Sequence, residues 1–285
     1  MRRIAVADAT YAVHEWGAGP PLLLLHGFTG SGANWRPQAA ALATRCLVIA
    51  PDLLGHGASD APADPGRHAM PRAVADLTAL LDALGLARVA VCGYSMGGRL
   101  ALALAVEQPA RVVALALEGA SPGIADPAER AARAAADEAW AERLERDGLA
   151  AFVDAWMAQP LFASQAALEP ARREDARAQR LRNDPIGLAA CLRGLGTGRQ
   201  PAYWHRLHTL PMPVLLLAGE RDAKFQALGR AMAESIPDAR LRIVPRAGHA
   251  THLENPAAFV RLVRGFLAPL LALDAASHTD VRSHA

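Results

Sequence analysis

Apolar positions in this chain gather into short continuous runs, and each run stops at a glycine, a proline or a carboxylate. Residues 21–25 read Pro-Leu-Leu-Leu-Leu and end in His26-Gly27. The pattern recurs at 46–50 before Pro51-Asp52, at 88–92 before Gly93, and at 112–117 before Glu118-Gly119. It returns at 213–218 before Gly219-Glu220 and at 240–244 before Pro245, while residues 11–16 alternate weakly. Unbroken apolar runs of this length predict strands buried on both faces of a sheet. Between them, residues 73–84, 99–107, 227–235 and 257–273 carry helix-length patterns. Strands alternating with helices predict an α/β fold with a mostly parallel sheet, whose ligands bind at the carboxyl ends of the strands.

The alternation breaks between residues 121 and 200, where charged helical patterns at 127–146 and 149–157 replace buried strands. So long a stretch is not a structureless loop in a compact domain, so a helical insertion covering the site as a lid is expected. The domain reading is therefore a core of 1–120 and 201–273, a lid of 121–200, and a disordered tail of 274–285.

Composition adds mainly exclusions. With 52% hydrophobic and 20% charged residues in 285, the chain can bury a sizeable core as one large domain or one domain with an insertion. The balance of 30 basic against 28 acidic residues leaves no broad positive surface for nucleic acid or anionic membrane. Every basic residue except Lys224 is arginine, so any one arginine is weak evidence of function by itself. Cys46, Cys92 and Cys191 are odd in number and show no metal or disulfide spacing, which predicts a reducing, cytoplasmic setting. No signal-peptide core follows Met1, and the apolar stretch 100–106 falls far short of the roughly 20 residues of a membrane span.

Candidate chemistry centres on Gly93-Tyr94-Ser95-Met96-Gly97, a G-x-S-x-G sequence directly between a predicted strand and a predicted helix. Its glycines permit the sharp turn that lifts a serine hydroxyl above the sheet edge, and the helix start offers N–H groups to an oxyanion. A serine needs a histidine to take its proton and a carboxylate to orient that histidine. His249, after the last predicted strand, and Asp222, in the turn after the preceding one, stand in the expected chain order. His252 is the rival histidine; Glu118 and Asp52, each ending a strand, are the rival acids. The N–H groups of Phe28 and Met96 are the expected oxyanion donors, each worth roughly 3–4 kcal/mol. Arg99, four residues after Ser95, faces the same side of its helix. A cation in the first helical turn opposes the helix dipole, so it either meets a bound anion or pairs with an acidic lid residue.

With these residues placed, the chain resembles the synthase of menaquinone biosynthesis that makes 2-succinyl-6-hydroxy-2,4-cyclohexadiene-1-carboxylate. The resemblance rests on Leu25-His26-Gly27-Phe28-Thr29-Gly30 with Trp35, on Gly93 through Arg99, and on Glu118-Gly119 with Pro122-Gly123. It continues through Arg130, Arg133, Asp137, Trp140, Trp156, Gln159-Pro160 and Phe162-Ala163-Ser164. Gly219 through Phe225, Arg246 through His249, and Glu254-Asn255-Pro256 complete it. Leu54 departs from the family's proline, and the segment after Asp274 has no counterpart.

The resemblance implies an α/β-hydrolase fold with a mostly parallel eight-stranded sheet. It also implies a lyase that expels pyruvate from 2-succinyl-5-enolpyruvyl-6-hydroxy-3-cyclohexene-1-carboxylate, with Ser95 as a base and no acyl-enzyme. Arg99, Arg133 and Arg182 would hold the substrate's carboxylates, with Tyr94 and Trp156 lining the pocket and Arg177 or Arg180 as alternatives to Arg182. No cofactor or metal is expected, and the partner is a small carboxylate-rich molecule acted on by a monomer. The competing readings are a serine esterase or thioesterase on the same triad, and a non-catalytic receptor that keeps the fold.

Overall fold

A computed structural model describes the backbone of residues 1–279 and the side chains of residues 1–269. Eight strands form one sheet: β1 (Arg2–Val6), β2 (Ala9–Trp16), β3 (Pro21–Leu25), β4 (Leu47–Pro51), β5 (Val89–Tyr94), β6 (Val112–Glu118), β7 (Val214–Gly219) and β8 (Ala239–Val244). Their spatial order is β1-β2-β4-β3-β5-β6-β7-β8. All pairings from β4 to β8 are parallel, and β2 runs antiparallel to both β1 and β4.

The apolar runs build the middle of this sheet. Successive side chains on a strand point to opposite faces, so Leu22 and Leu24 join one core with Trp35 and Phe259 while Leu23 and Leu25 join another with Leu77 and Leu100. The flanking helices are α1 (Arg36–Leu42), α2 (Met70–Ala83) and α3 (Met96–Glu107). Between β6 and β7 lie α4 (Pro127–Met157), α5 (Pro170–Arg180) and α6 (Pro185–Leu195), followed by α7 (Ala223–Ser235), the short α8 (Thr251–Glu254) and α9 (Pro256–Thr279).

The differences from the sequence reading have local causes. Strand β1 is an edge strand whose Arg2 and Arg3 are exposed, so it carries almost no apolar signal and is fixed instead by its tight turn to β2. Helices α2, α3 and α7 start before their apolar periodicity does: α2 and α7 carry exposed Pro71-Arg72 and Ala223-Lys224 in their first turns, while α3 opens on Met96-Gly97-Gly98-Arg99, which is buried but breaks the apolar pattern with two glycines and a cation. Helix α9 runs on through Thr279, into the stretch from Asp274 set apart as a tail; residues 280–285 lie outside the described residues.

The helices between β6 and β7 carry a small core of their own, in which Ala141, Leu144, Phe152 and Val153 of α4 meet Leu188 and Leu192 of α6. Phe28, from the loop after β3, packs into it. Helix α4 bends sharply at Gly148, whose φ of 79° and ψ of 168° belong to a region open to glycine alone. A Cβ there would touch nothing within 4 Å, so the backbone conformation is the whole cost of a side chain. Gly148→Ala should therefore destabilise the bent helix by about 1–3 kcal/mol, read as a lower denaturation midpoint. An unchanged midpoint would mean that the two halves of α4 can realign at no cost.

Candidate active site

Ser95 stands between β5 and α3 with φ 51° and ψ −109°, a strained conformation for a residue with a Cβ. The turn is held because its neighbours leave no room for anything else. A Cβ on Gly97 would lie 2.3 Å from the Leu25 carbonyl, and one on Gly93 would lie 2.3 Å from the Gly97 carbonyl. Ser95 N–H donates to the Glu118 carbonyl at 2.8 Å. Although Ser95 occupies the N-cap position of α3, its hydroxyl makes no capping bond. It is instead 3.1 Å from Nε2 of His249.

The loop that brings His249 there is tied down from both sides. Arg221 N–H donates to the Ala247 carbonyl at 2.8 Å, and Glu254 accepts from Gly248 N–H at 2.8 Å and Ala250 N–H at 3.2 Å. Asp222 follows β7 and caps α7, accepting from Phe225 N–H at 3.2 Å through Oδ1 and contacting His249 Nδ1 at 3.0 Å through Oδ2. With Nδ1–H donated to the carboxylate, Nε2 is the free acceptor for the serine proton. Serine, histidine and aspartate are thus assembled in one line, and both His249 and Asp222 are buried.

The rival residues are accounted for by each other. Glu118, fully buried, accepts from Thr251 Oγ1 at 2.7 Å, from His252 N–H at 2.9 Å, and from His252 Nδ1 at 2.9 Å. Asp52 accepts from Gly32 N–H at 2.6 Å and Ala58 N–H at 2.7 Å, a loop-bracing role. His26 donates through Nδ1 to the Gly27 carbonyl at 2.8 Å and accepts at Nε2 from Leu53 N–H at 2.9 Å. Burial pushes its pKa down, so the ring serves as a neutral brace for the Gly27-Phe28 turn.

Ser95 and His249 open into a cavity of about 710 Å³ whose walls include Phe28 and Met96. Met96 is the first residue of α3, so its N–H has no partner within the helix. Tyr94 and Trp156 also line the cavity, and the Trp156 ring meets Phe28 edge-on at 5.0 Å and stacks on Phe152 at 5.7 Å.

Three arginines reach the same space. Arg99 is buried, and its Nη1 donates to the Leu195 carbonyl and to Gln200 Oε1, both at 2.9 Å. These partners are neutral, so the alternative of an ion pair with a lid acid is not what the structure contains. Burial, with Arg133 adding to it, pushes the Arg99 pKa down to about 10, against the opposing pull of Cys191 and Asp137. Arg133 is bonded through Nε to Asp137 at 2.8 Å. Arg180 donates from Nη1 to the Ala176 carbonyl at 2.8 Å, its buried Nε has no partner, and burial lowers its pKa against the pull of Tyr94. Among the described residues no carboxylate lies within 4.0 Å of the Arg99 or Arg180 guanidinium.

Arg182 is a correction. It lies beyond the end of α5, exposed and outside the cavity wall, and Arg180 takes the place expected of it. Arg177, the other alternative, points away and pairs with Asp154 at 2.6 Å. A helical reading of 170–180 would have separated the three: Ala176 is the single buried residue of α5, and Arg180 shares its face at i+4. Ser121, Leu161, Trp204 and Leu228, which the sequence does not mark as site residues, also line the cavity, as does Lys224, the only lysine.

Among the described residues no group of three or more His, Cys, Asp or Glu side chains is gathered to hold a metal ion, and no helix is long and apolar enough to cross a membrane.

Comparison with known proteins places this arrangement in context. A family model described as alpha/beta hydrolase fold matches residues 20–256. The 2-succinyl-6-hydroxy-2,4-cyclohexadiene-1-carboxylate synthase of Serratia proteamaculans is 38% identical over 264 residues, covering 91% of this chain and 98% of its own. A Bacillus subtilis protein whose name assigns it the same activity provisionally is 44% identical over 267 residues, covering 93% and 97%. The solved structure of MenH from S. aureus superposes with a TM-score of 0.86 at 33% identity, covering 91% of this chain and 98% of that one.

Proposed function

The chain belongs to the 2-succinyl-6-hydroxy-2,4-cyclohexadiene-1-carboxylate synthase family of the α/β-hydrolase fold, and from that premise we propose that Ser95, His249 and Asp222 carry out its elimination chemistry. The substrate is a cyclohexene with an acyl group at carbon 2, a double bond at carbon 3 and an enolpyruvyl ether at carbon 5; the product is a 2,4-diene. The proton must therefore leave carbon 2, the double bond must shift to carbons 2 and 3, a second must form between carbons 4 and 5, and the ether bond at carbon 5 must break.

Ser95 Oγ removes that proton while passing its own to His249 Nε2, and Asp222 stabilises the imidazolium that results. The proton returns to the departing enolpyruvate, which tautomerises to pyruvate, so no atom is left on the enzyme. Negative charge develops on the acyl oxygen, and the N–H groups of Phe28 and Met96 hold it. General-base assistance supplies about 10²- to 10⁴-fold, with positioning and electrostatics supplying the remainder.

The observation that carries this reading is a pair of arginines facing the same cavity as Ser95 with no carboxylate paired to either: Arg99, which is buried, and Arg180, which is half-buried with a buried, unpartnered Nε. A buried cation without a partner is costly, and a substrate with three carboxylates supplies the missing charge. Arg133 provides a further contact beside Asp137, while Tyr94 and Trp156 shape the apolar walls. In this reading the core of 1–120 and 201–273 carries the triad and the lid of 121–200 carries Arg133, Trp156 and Arg180. The enzyme works as a cytoplasmic monomer without a cofactor.

One observation favours a second reading. The enol-lactonase from Burkholderia xenovorans superposes with a TM-score of 0.82 at 27% identity, so a closely similar scaffold also serves lactone hydrolysis. The deciding experiment supplies the enolpyruvyl substrate and p-nitrophenyl esters in parallel. Release of pyruvate with equal growth of the conjugated diene is the expected result. Ester turnover with no pyruvate would make the protein a serine hydrolase that shares the family's sequence.

A further inference from the structure

Glu118 does not belong to the triad, yet it touches both halves of it. We propose that Glu118 is a positioning residue that sets the distance between Ser95 and His249, acting as a buried clamp between the loops that carry them.

Its main-chain carbonyl accepts the Ser95 N–H at 2.8 Å, which fixes the strained elbow from the β6 side. Its carboxylate reaches in the other direction, into the segment just after His249. Oε1 accepts from the Thr251 hydroxyl at 2.7 Å and from the His252 N–H at 2.9 Å, and both oxygens lie within 3.0 Å of His252 Nδ1. The next residue, Gly119, has φ +56°, and a Cβ on it would come within 2.7 Å of the His249 ring. One dipeptide therefore holds the serine loop, holds the histidine loop, and leaves clearance for the imidazole between them. His252 extends the clamp to the cavity wall, because its ring meets Tyr94 at 4.7 Å with an interplanar angle of 61°.

A carboxylate with no exposed surface costs stability even when paired, and an apolar residue of similar size serves a core equally well. Its bonds to Thr251 and His252 are directional where apolar packing is not, and small displacements of a reacting pair cost rate steeply. A misplacement of about 1 Å can lower a rate by roughly 10²-fold. The inference rests on Ser95 as the reacting residue and does not depend on which substrate is bound.

The test uses Glu118→Gln, which keeps the volume but removes the charge and sets an amide NH2 against His252 Nδ1 where Oε2 stood, and Thr251→Val, which removes one bond to the carboxylate. Each folded variant is treated with diisopropyl fluorophosphate. Ser95 Oγ attacks phosphorus, the P–F bond breaks, fluoride departs, and the serine proton passes to His249. This neutral probe makes no use of the arginines, so it reads the alignment of the serine and histidine alone.

Expected is a fall in labelling rate of about 10- to 100-fold for Glu118→Gln and a smaller fall for Thr251→Val. In pyruvate release, kcat falls in parallel while KM stays within about threefold, since the arginines are untouched. Labelling at the wild-type rate in folded Glu118→Gln would overturn the proposal, as would a change confined to KM. Should Glu118→Gln fail to fold, Thr251→Val decides by the same criteria. A wild-type protein that labels but releases no pyruvate would defeat the synthase reading and leave the clamp standing.

Discussion

Ser95→Ala should lower kcat for pyruvate release by about 10⁴-fold or more, with KM little changed. In the proposed elimination the hydroxyl takes the ring proton and passes its own to Nε2 of His249, 3.1 Å away. In the same reading it contributes little to binding, because the charged contacts would come from the arginines elsewhere on the cavity wall. In hydrolases built on such a relay, loss of the serine or the histidine alone costs roughly as much as loss of the whole set. The double variant Ser95→Ala/His249→Ala is therefore expected to be no slower than either single variant. Steady-state kinetics on the three proteins checks this, and additive losses would mean that His249 acts on the substrate independently of Ser95.

The second large effect is at Arg99. Arg99→Met should lower kcat/KM by about 2–5 kcal/mol, or roughly 30- to 5,000-fold, because it leaves a substrate carboxylate buried and unpaired. Stability should respond quite differently. Arg99 is only 8% exposed and no carboxylate pairs with it directly, the pull of Asp137 being outweighed by its burial, so the protein without ligand gains by losing that charge. It also loses two bonds, to the Leu195 carbonyl and Gln200, so the two effects oppose each other. A denaturation midpoint close to wild type is expected beside a severe kinetic defect. A large loss of stability would mean instead that Arg99 serves mainly to hold the end of α6. Since the Arg99 pKa is lowered to about 10, the charged form persists at neutral pH and is lost only as pH rises through that value. Arg180→Met should behave like Arg99→Met, whereas exposed Arg182→Ala should leave kcat/KM unchanged.

How far the sequence reveals this site depends on how local each signal is. The elbow around Ser95 is a five-residue device whose glycines have steric reasons that a sequence can display. Asp222 and His249 follow from chain order and strand ends. Glu118 and His252 looked like competitors because they too end or follow strands; only the three-dimensional pairing shows that they occupy each other. Arg180 was hidden for another reason. Helix α5 is almost wholly polar, so its buried face is marked by Ala176 alone, and the register that selects Arg180 over Arg177 and Arg182 cannot be seen without the helix boundaries. The partners of Arg99 lie 96 and 101 residues further along the chain, beyond the reach of any spacing rule. Strand β1 was likewise hidden, since an edge strand protected by arginines lacks the apolar pattern by which strands are read.

Phe28 has a double membership. Its main chain contributes an oxyanion donor in the proposed chemistry, while its side chain is packed into the small core of α4 and α6 and meets Trp156 edge-on. In that chemistry the helices between β6 and β7 and the oxyanion donor are tied together through one residue. A change that loosened the packing of α4 and α6 on Phe28 would also loosen the backbone that presents the donor, so enclosure of the cavity and competence of the serine would be gained and lost together.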